Sequence, residues 1–166
     1  MDQRYDVWGI EFNAAAAEAA SRQGIQVRVA NIEEGLPFED GFFDVIHAGD
    51  IVEHLFDTKN FFSECSRVLR SGGLMFFTVP NLNSLENRIR VVRGQYLSNL
   101  GAYPEDHFGQ NIRVFNQAKV RELCLQTGFT VEEIQGIDPT RTGFTRLASK
   151  WAPGLSNQLL VQARTV

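Results

Sequence analysis

Short apolar runs alternate with stretches of helical period along this chain. Tyr5 to Phe12 is apolar enough for a strand, and Asn13 stands where a helix cap belongs. The alanine-rich stretch Ala14 to Arg22 has high helix propensity, and Gly24 supplies its stop. Ile25, Val27 and Val29 repeat every second residue, predicting a strand from Ile25 to Ala30. Asn31 to Gly41 reads as a loop, and Phe42 to Ala48 as a third, central strand. Leu55, Phe62, Cys65 and Leu69 form one stripe of a helix expected from Ile51 to Arg70, closed by Ser71-Gly72-Gly73. Leu74 to Val79 is almost wholly apolar, as in a strand covered on both faces, and Pro80 stops it.

The second half continues the alternation. Asn81 to Gln95 holds a basic helix with Arg88, Arg90 and Arg93. Tyr96 to Phe115 is a long polar and aromatic loop, of a length that usually carries function. Asn116 caps a helix reaching Thr127, ended by Gly128. Thr130 to Ile137 is a strand, Asp138 to Ser156 has no clear pattern, and Gln158 to Arg164 is a last strand at or near an edge. Strand and helix in turn predict an α/β fold with a mostly parallel sheet covered on both faces.

The chain of 166 residues suits a single domain. A net charge of -4 and a pI near 5.4 argue against nucleic acid as the partner. No apolar run approaches the ~18 residues of a membrane span, so no membrane partner is expected. Met1 to Asp6 lacks the apolar core of a signal peptide. The two cysteines, Cys65 and Cys124, lie on helical patterns without a CxxC partner. They read as buried free thiols rather than metal ligands, which favours a cytoplasmic location. No metal is expected.

In open parallel sheets ligands bind beyond the carboxyl ends of the strands, so the residues there hold the candidate chemistry. Glu11 can accept from ribose hydroxyls with Phe12 stacking on a base, or can merely cap the following helix. Asn31 can accept from an adenine amino group with Ile32 over the ring, or can be a turn asparagine. Gly49 permits close backbone approach, and Asp50 and Glu53 can face a cationic ligand or simply dress a helix start. His54 is a base or a polar cap residue, and Asn81 points into the cleft or forms a turn.

Taken in order, Tyr5 to Asn13, Val29-Ala30-Asn31-Ile32-Glu33, Leu36-Pro37-Phe38, Phe43-Asp44-Val45-Ile46, Glu53-His54-Leu55, Arg67 to Gly73 and Thr78-Val79-Pro80-Asn81 resemble the class I S-adenosylmethionine-dependent methyltransferases. The similarity is strongest to their small-molecule, ubiquinone-biosynthesis-like branch, and covers roughly Tyr5 to Gly136. It implies a Rossmann-like sheet of seven strands, one of them antiparallel. It also implies S-adenosylmethionine as cofactor, with Glu11 on the ribose, Phe12 and Ile32 around the adenine, and Asn31 where the family usually has aspartate. Gly49 and Asp50 would lie near the methionine portion, and residues 82–115 would form a substrate lid. If the small-molecule acceptor is a hydroxyl, His54 or His107 would remove its proton.

One departure from that family is large. The glycine-rich turn that should precede the acidic ribose ligand by roughly 20 residues has no room ahead of Glu11. The family's central first strand and its helix are therefore absent from this chain, which reads as an N-terminally incomplete domain. The resemblance places the absent strand between the strand ending at Phe12 and the one ending at Ala48. Those two would pair directly, be bridged by a segment of another copy, giving a homo-oligomer, or belong to a longer chain. The alternative reading of function is a non-catalytic methyltransferase-like binding or oligomerisation module.

Overall fold

A computed structural model describes residues 5–97, 111–137 and 152–166. Six strands are present among them: β1 (Trp8–Glu11), β2 (Gln26–Val29), β3 (Phe43–Ala48), β4 (Leu69–Pro80), β5 (Phe129–Ile137) and β6 (Gln158–Thr165). Four α-helices join them: α1 (Ala14–Ser21), α2 (Thr58–Val68), α3 (Leu85–Val92) and α4 (Gln117–Gln126). The caps are where side-chain chemistry requires them. Asn13 Oδ1 accepts from the amides of Ala15 and Ala16, Ser84 caps α3, and Asn116 Oδ1 accepts from Lys119 N.

The strands fall into two sheets. β1 and β2 pair in parallel, from Trp8 opposite Gln26 to Glu11 opposite Val29. The other four run in the order β3-β4-β6-β5, with β3 parallel to β4 and β6 antiparallel to both neighbours. One antiparallel strand among otherwise parallel ones is the arrangement the resemblance implies. The four strands of the first half pair in parallel within each couple, but β1 and β3 share no ladder. The break falls where the resemblance puts the absent strand.

The last strand lies near an edge, as expected: β6 is second from the end of its sheet, between β4 and the edge strand β5, with Leu159, Val161 and Ala163 wholly buried. The helix expected from Ile51 to Arg70 is divided. A 3₁₀ turn at Val52–His54 precedes α2, which starts only after Asp57 caps it through Asn60 N. The Glu33 carboxylate holds the break by accepting from the amides of Phe56 (2.6 Å) and Asp57 (3.2 Å). Ser71 to Gly73 belongs to β4 rather than to a helix end. Gly72 has φ +74°, and a Cβ on Gly73 would stand 2.9 Å from Arg70 O and 3.2 Å from Asp44 O.

The core lies between α2, α4 and the larger sheet. Phe62 is wholly buried and meets Phe77 edge-on at 5.0 Å, with Phe61 and Phe129 near 6 Å. The expected stripe of Leu55, Phe62, Cys65 and Leu69 is buried throughout. Cys65 and Cys124 are free, buried thiols, as expected. Burial raises both, Cys124 to about 12.

Arg67 ties α2 to the loop before β3. Its guanidinium donates to Glu64, to Asp40 and to the carbonyls of Leu36 and Phe38, all within 2.9 Å. That bonding holds the Glu64 carboxyl at about 2, with help from Leu36 N. The folded value is depressed below the ordinary 4.5, so the contribution is complete above that value and is lost as pH falls toward 2. Arg67→Met should therefore cost on the order of 1–2 kcal/mol at pH 7. Urea melts of the variant and the parent should converge as the pH approaches 2.

Candidate active site

The carboxyl ends of β1 to β4 are laid out by their loops. Glu11 ends β1, and one oxygen accepts from Asn13 N at 2.8 Å, so it braces the start of α1. The carboxylate retains acceptor capacity beyond that single bond. Phe12 follows with 76% of its surface exposed, an unusual position for an aromatic ring. Asn31 caps the 3₁₀ turn Ile32–Glu34: Oδ1 accepts from Glu33 N at 3.1 Å and Nδ2 donates to Glu34 at 3.0 Å. Ile32 packs against the core with its residue partly buried.

Asp50, just past β3, is the most constrained residue of this edge. Its φ of 50° makes it the one non-glycine residue with positive φ among the described residues. Aspartate tolerates that conformation better than most side chains, but strain of this kind collects at functional sites. Three bonds hold it. Asp50 N donates to Thr78 Oγ1 (2.8 Å), that hydroxyl donates back to Asp50 Oδ1 (2.9 Å), and Gln158 Nε2 donates to the same oxygen (3.2 Å). Gly49 precedes it with the His47 ring beside its Cα.

The sequence pattern did not point to Thr78 and Gln158 as the supports of Asp50. Both lie in strands of high apolar content, and only the antiparallel register of β4 and β6 places Thr78 against Leu160 and brings Gln158 to the same end.

Beside Asp50, Glu53 is buried at 3% exposure, and its Oε2 has no hydrogen-bond partner among the described residues. Its main-chain oxygen accepts from Ile112 N and Arg113 N, and Arg113 also donates to the carbonyls of Leu55 and Phe56. The segment 111–115 is thus strapped across the turn after β3, and its far end is fixed to the end of β4 by Phe115 N on Pro80 O (3.3 Å) and to the turn beyond it by Leu82 N on Phe115 O (2.7 Å). Desolvation raises the Glu53 carboxyl above its ordinary value.

His54 is exposed on the same turn. His107 lies outside the described residues, as does part of the 82–115 segment. Asn81 does not point into the cleft as a ligand. It is wholly buried, donates to the carbonyls of Gly154 and Ser156, and accepts from Asn83 N.

The fold is a Rossmann-like α/β domain of the methyltransferase type. Residues 1–77 match the methyltransferase domain family. A probable S-adenosylmethionine-dependent methyltransferase of Mycolicibacterium smegmatis is 33% identical over 133 residues, covering 79% of this chain and 46% of the relative. A ubiquinone biosynthesis O-methyltransferase of Thiobacillus denitrificans is 23% identical over 137 residues, covering 79% of this chain and 58% of that relative.

Among solved structures, an S-adenosylmethionine-dependent methyltransferase of Methanosarcina mazei superposes with a TM-score of 0.70 at 18% identity, over 96% of this chain and 82% of that one. One from Thermotoga maritima gives 0.68 at 20%, over 95% and 72%. In sequence and in fold this chain is similar to the S-adenosylmethionine-dependent methyltransferases. The chain spans about half the length of the two relatives.

The buried Glu53 yields a test. Its folded value is raised above the ordinary 4.5, so the cost of the buried charge is absent below 4.5, grows as the pH rises toward the folded value and is complete above it. Glu53→Gln keeps the shape and removes the charge. It should raise the melting temperature at pH 8 by a few degrees, about 1–2 kcal/mol, and leave it unchanged or lower near pH 4. Calorimetric scans at the two pH values check this.

Proposed function

We propose that this chain forms the adenosine-side and acceptor-side walls of an enzyme that transfers a methyl group to a small molecule. The observation that supports it best is that Glu11, Asn31 and Asp50 each follow the carboxyl end of a strand that belongs to a parallel pair, β1 with β2 and β3 with β4. The adenosine side fits the cofactor. In this reading the free acceptor capacity of Glu11 takes the ribose hydroxyls, and the exposed Phe12 ring and Ile32 flank the adenine. Asn31 Oδ1 accepts from its amino group, and Gly49 and Asp50 border the methionine portion. When bound, the sulfonium cofactor supplies an electrophilic methyl group, which leaves the protein the tasks of positioning and of excluding water.

The acceptor side falls to α3 and the strap. α3 buries Asn87 and turns Leu85, Ile89 and Val92 outward, an apolar stripe with Arg88 and Arg93 at its borders. Its Glu86 accepts from Asn157 Nδ2 at 3.4 Å, beside the Gln158 that holds Asp50, so the stripe stands close to the cofactor edge. An apolar small molecule suits that face, and the likeness to a ubiquinone biosynthesis O-methyltransferase supports the same class of acceptor. For an acceptor hydroxyl, His54 and His107 are the candidate bases. No described helix is long and apolar enough to cross a membrane. A cytoplasmic location belongs to this reading, with the two buried thiols as its support.

The second reading, a non-catalytic binding module, is favoured by one observation: the open break between β1 and β3 leaves the methionine end without a wall on one side. Titration separates the two. The purified 166-residue monomer should bind S-adenosylmethionine with a Kd above ~100 µM and transfer no methyl group. Low-micromolar binding by this monomer would contradict the incomplete pocket. In a longer chain that restores a strand and helix ahead of β1, binding should become saturable. There Glu11→Ala should weaken it several-fold to ~100-fold, the loss of ~1–3 kcal/mol of charge-assisted hydrogen bonding. Unchanged affinity in that variant would remove Glu11 from the site.

A further inference from the structure

A second cleft opens at the carboxyl end of β4. Asn81, the residue after that strand, forms its floor, and its volume is about 660 Å³. Gln117, Ala118 and Arg121 of α4 supply one wall, and the 3₁₀ turn Pro153–Leu155 supplies another. Asn83 and Arg88 add the side nearest α3. The floor is braced by its own bonds. Asn81 Nδ2 donates to Gly154 O (3.0 Å) and Ser156 O (2.8 Å), and Oδ1 accepts from Asn83 N (3.0 Å).

The charge around this cleft has one sign. No aspartate or glutamate lines it among the described residues. The acids of the two helices are used elsewhere: Glu86 accepts from Arg90 (3.1 Å) and Glu122 from Lys119 (2.7 Å). Arg88 spends only Nε, on Asn83 O at 2.9 Å. The Arg121 guanidinium has no hydrogen-bond or ion-pair partner among the described residues. Two like charges on one cleft repel, and that repulsion is relieved only by an anion. Neutral donors add to them. Gln117 Nε2 stands 3.5 Å from the place of a Cβ on Gly154, so this amide overhangs the wall. Asn116 Oδ1 takes only Lys119 N, which leaves the Gln117 and Ala118 amides of the first turn without an intrahelical acceptor.

We propose that this cleft binds the phosphate or carboxylate group of a small molecule, with Arg88 and Arg121 as its two cationic contacts. Guanidinium forks match such oxyanions two bonds at a time. The volume exceeds what the anionic group needs and accommodates part of the molecule that bears it. The position relates the cleft to the cofactor edge. Pro80, one residue before Asn81, pairs with Gln158, and Gln158 donates to Asp50. Arg88 also borders the apolar stripe of α3, so an anion held here leaves its apolar body beside Leu85 and Ile89. Taking that molecule for the methyl acceptor rests on the methyl-transfer reading; the anion site does not.

The test titrates the unmodified chain with phenyl phosphate, benzoate and phenol, one ring carrying each kind of group, and follows the backbone amides by NMR. One or both anions should bind saturably at one per chain, with a Kd of ~1 mM or tighter, and phenol should not. The shifts should centre on Asn83, Gln117 and Ala118. Arg88→Gln and Arg121→Gln should each weaken the anion at least ~10-fold. Both side chains are exposed, so the melting temperature should change by less than ~2 °C. The corresponding lysine variants keep the charge without the fork and should fall between. Lys59→Gln removes an exposed cation of α2 that is not at the cleft, and should leave the affinity unchanged.

Binding of the phosphate alone, or of the carboxylate alone, supports the site and identifies the group. Binding of neither anion, equal binding of phenol, unchanged affinity in either glutamine variant, or an equal loss in Lys59→Gln would overturn the proposal. No cofactor enters the readout, so the result stands apart from the fate of the methyl-transfer reading.

Discussion

A sheet is held by continuous backbone hydrogen bonding, and each strand edge that is shielded from water without a partner costs free energy. In this chain that continuity holds from β3 through β4 and β6 to β5, and again from β1 to β2, and it is interrupted once, between β1 and β3. The interruption governs what each half can do. The larger half keeps a full aromatic and aliphatic core around Phe62 and Phe77. The smaller half is held to it by side chains alone, through Trp8 against Phe38 and Phe42, and Arg28 over the Trp8 and Phe38 rings. Cation–ring and ring–ring contacts of this kind contribute about 1 kcal/mol apiece, far less than a continuous ladder with its packed faces.

The same interruption divides the candidate site. Asp50 draws its geometry from the intact sheet, since Thr78 of β4 and Gln158 of β6 hold its carboxylate in a strained backbone turn. Glu11 and Asn31 draw theirs from local caps at α1 and at the turn after β2. The two groups belong to one edge but to different sheets. Their mutual placement therefore depends on whatever spans the break, and the strap of residues 111–115 fixes only the side that carries Glu53 and Asp50.

Most of the element order was legible in the residues. Alternation marked β2, the unbroken apolar run marked β4, and the asparagine caps at Asn13 and Asn116 marked two helix starts. The break between β1 and β3 falls where the resemblance puts a further strand. What escaped was long-range. The break before α2 depends on Glu33, more than 20 residues away, reaching the amides of Phe56 and Asp57. The support of Asp50 depends on the antiparallel register of β4 and β6, which chain order cannot reveal. At the site, Asn81 carries the right residue type at a strand end, yet its amide is consumed by Gly154 and Ser156. Local pattern identifies a polar group near an edge, and only tertiary pairing decides whether it is free for a ligand.

The open edges are the claim on which the account rests, and amide hydrogen exchange of the unmodified monomer reads them directly. The amides of β1 that face away from β2 and the alternate amides of β3 should exchange orders of magnitude faster than those of β4 residues Met75, Phe77 and Val79, which lie in the middle of the intact sheet. Protection along the whole of β1 and β3 equal to that of β4 would mean that the edges are already paired, and would contradict a split sheet.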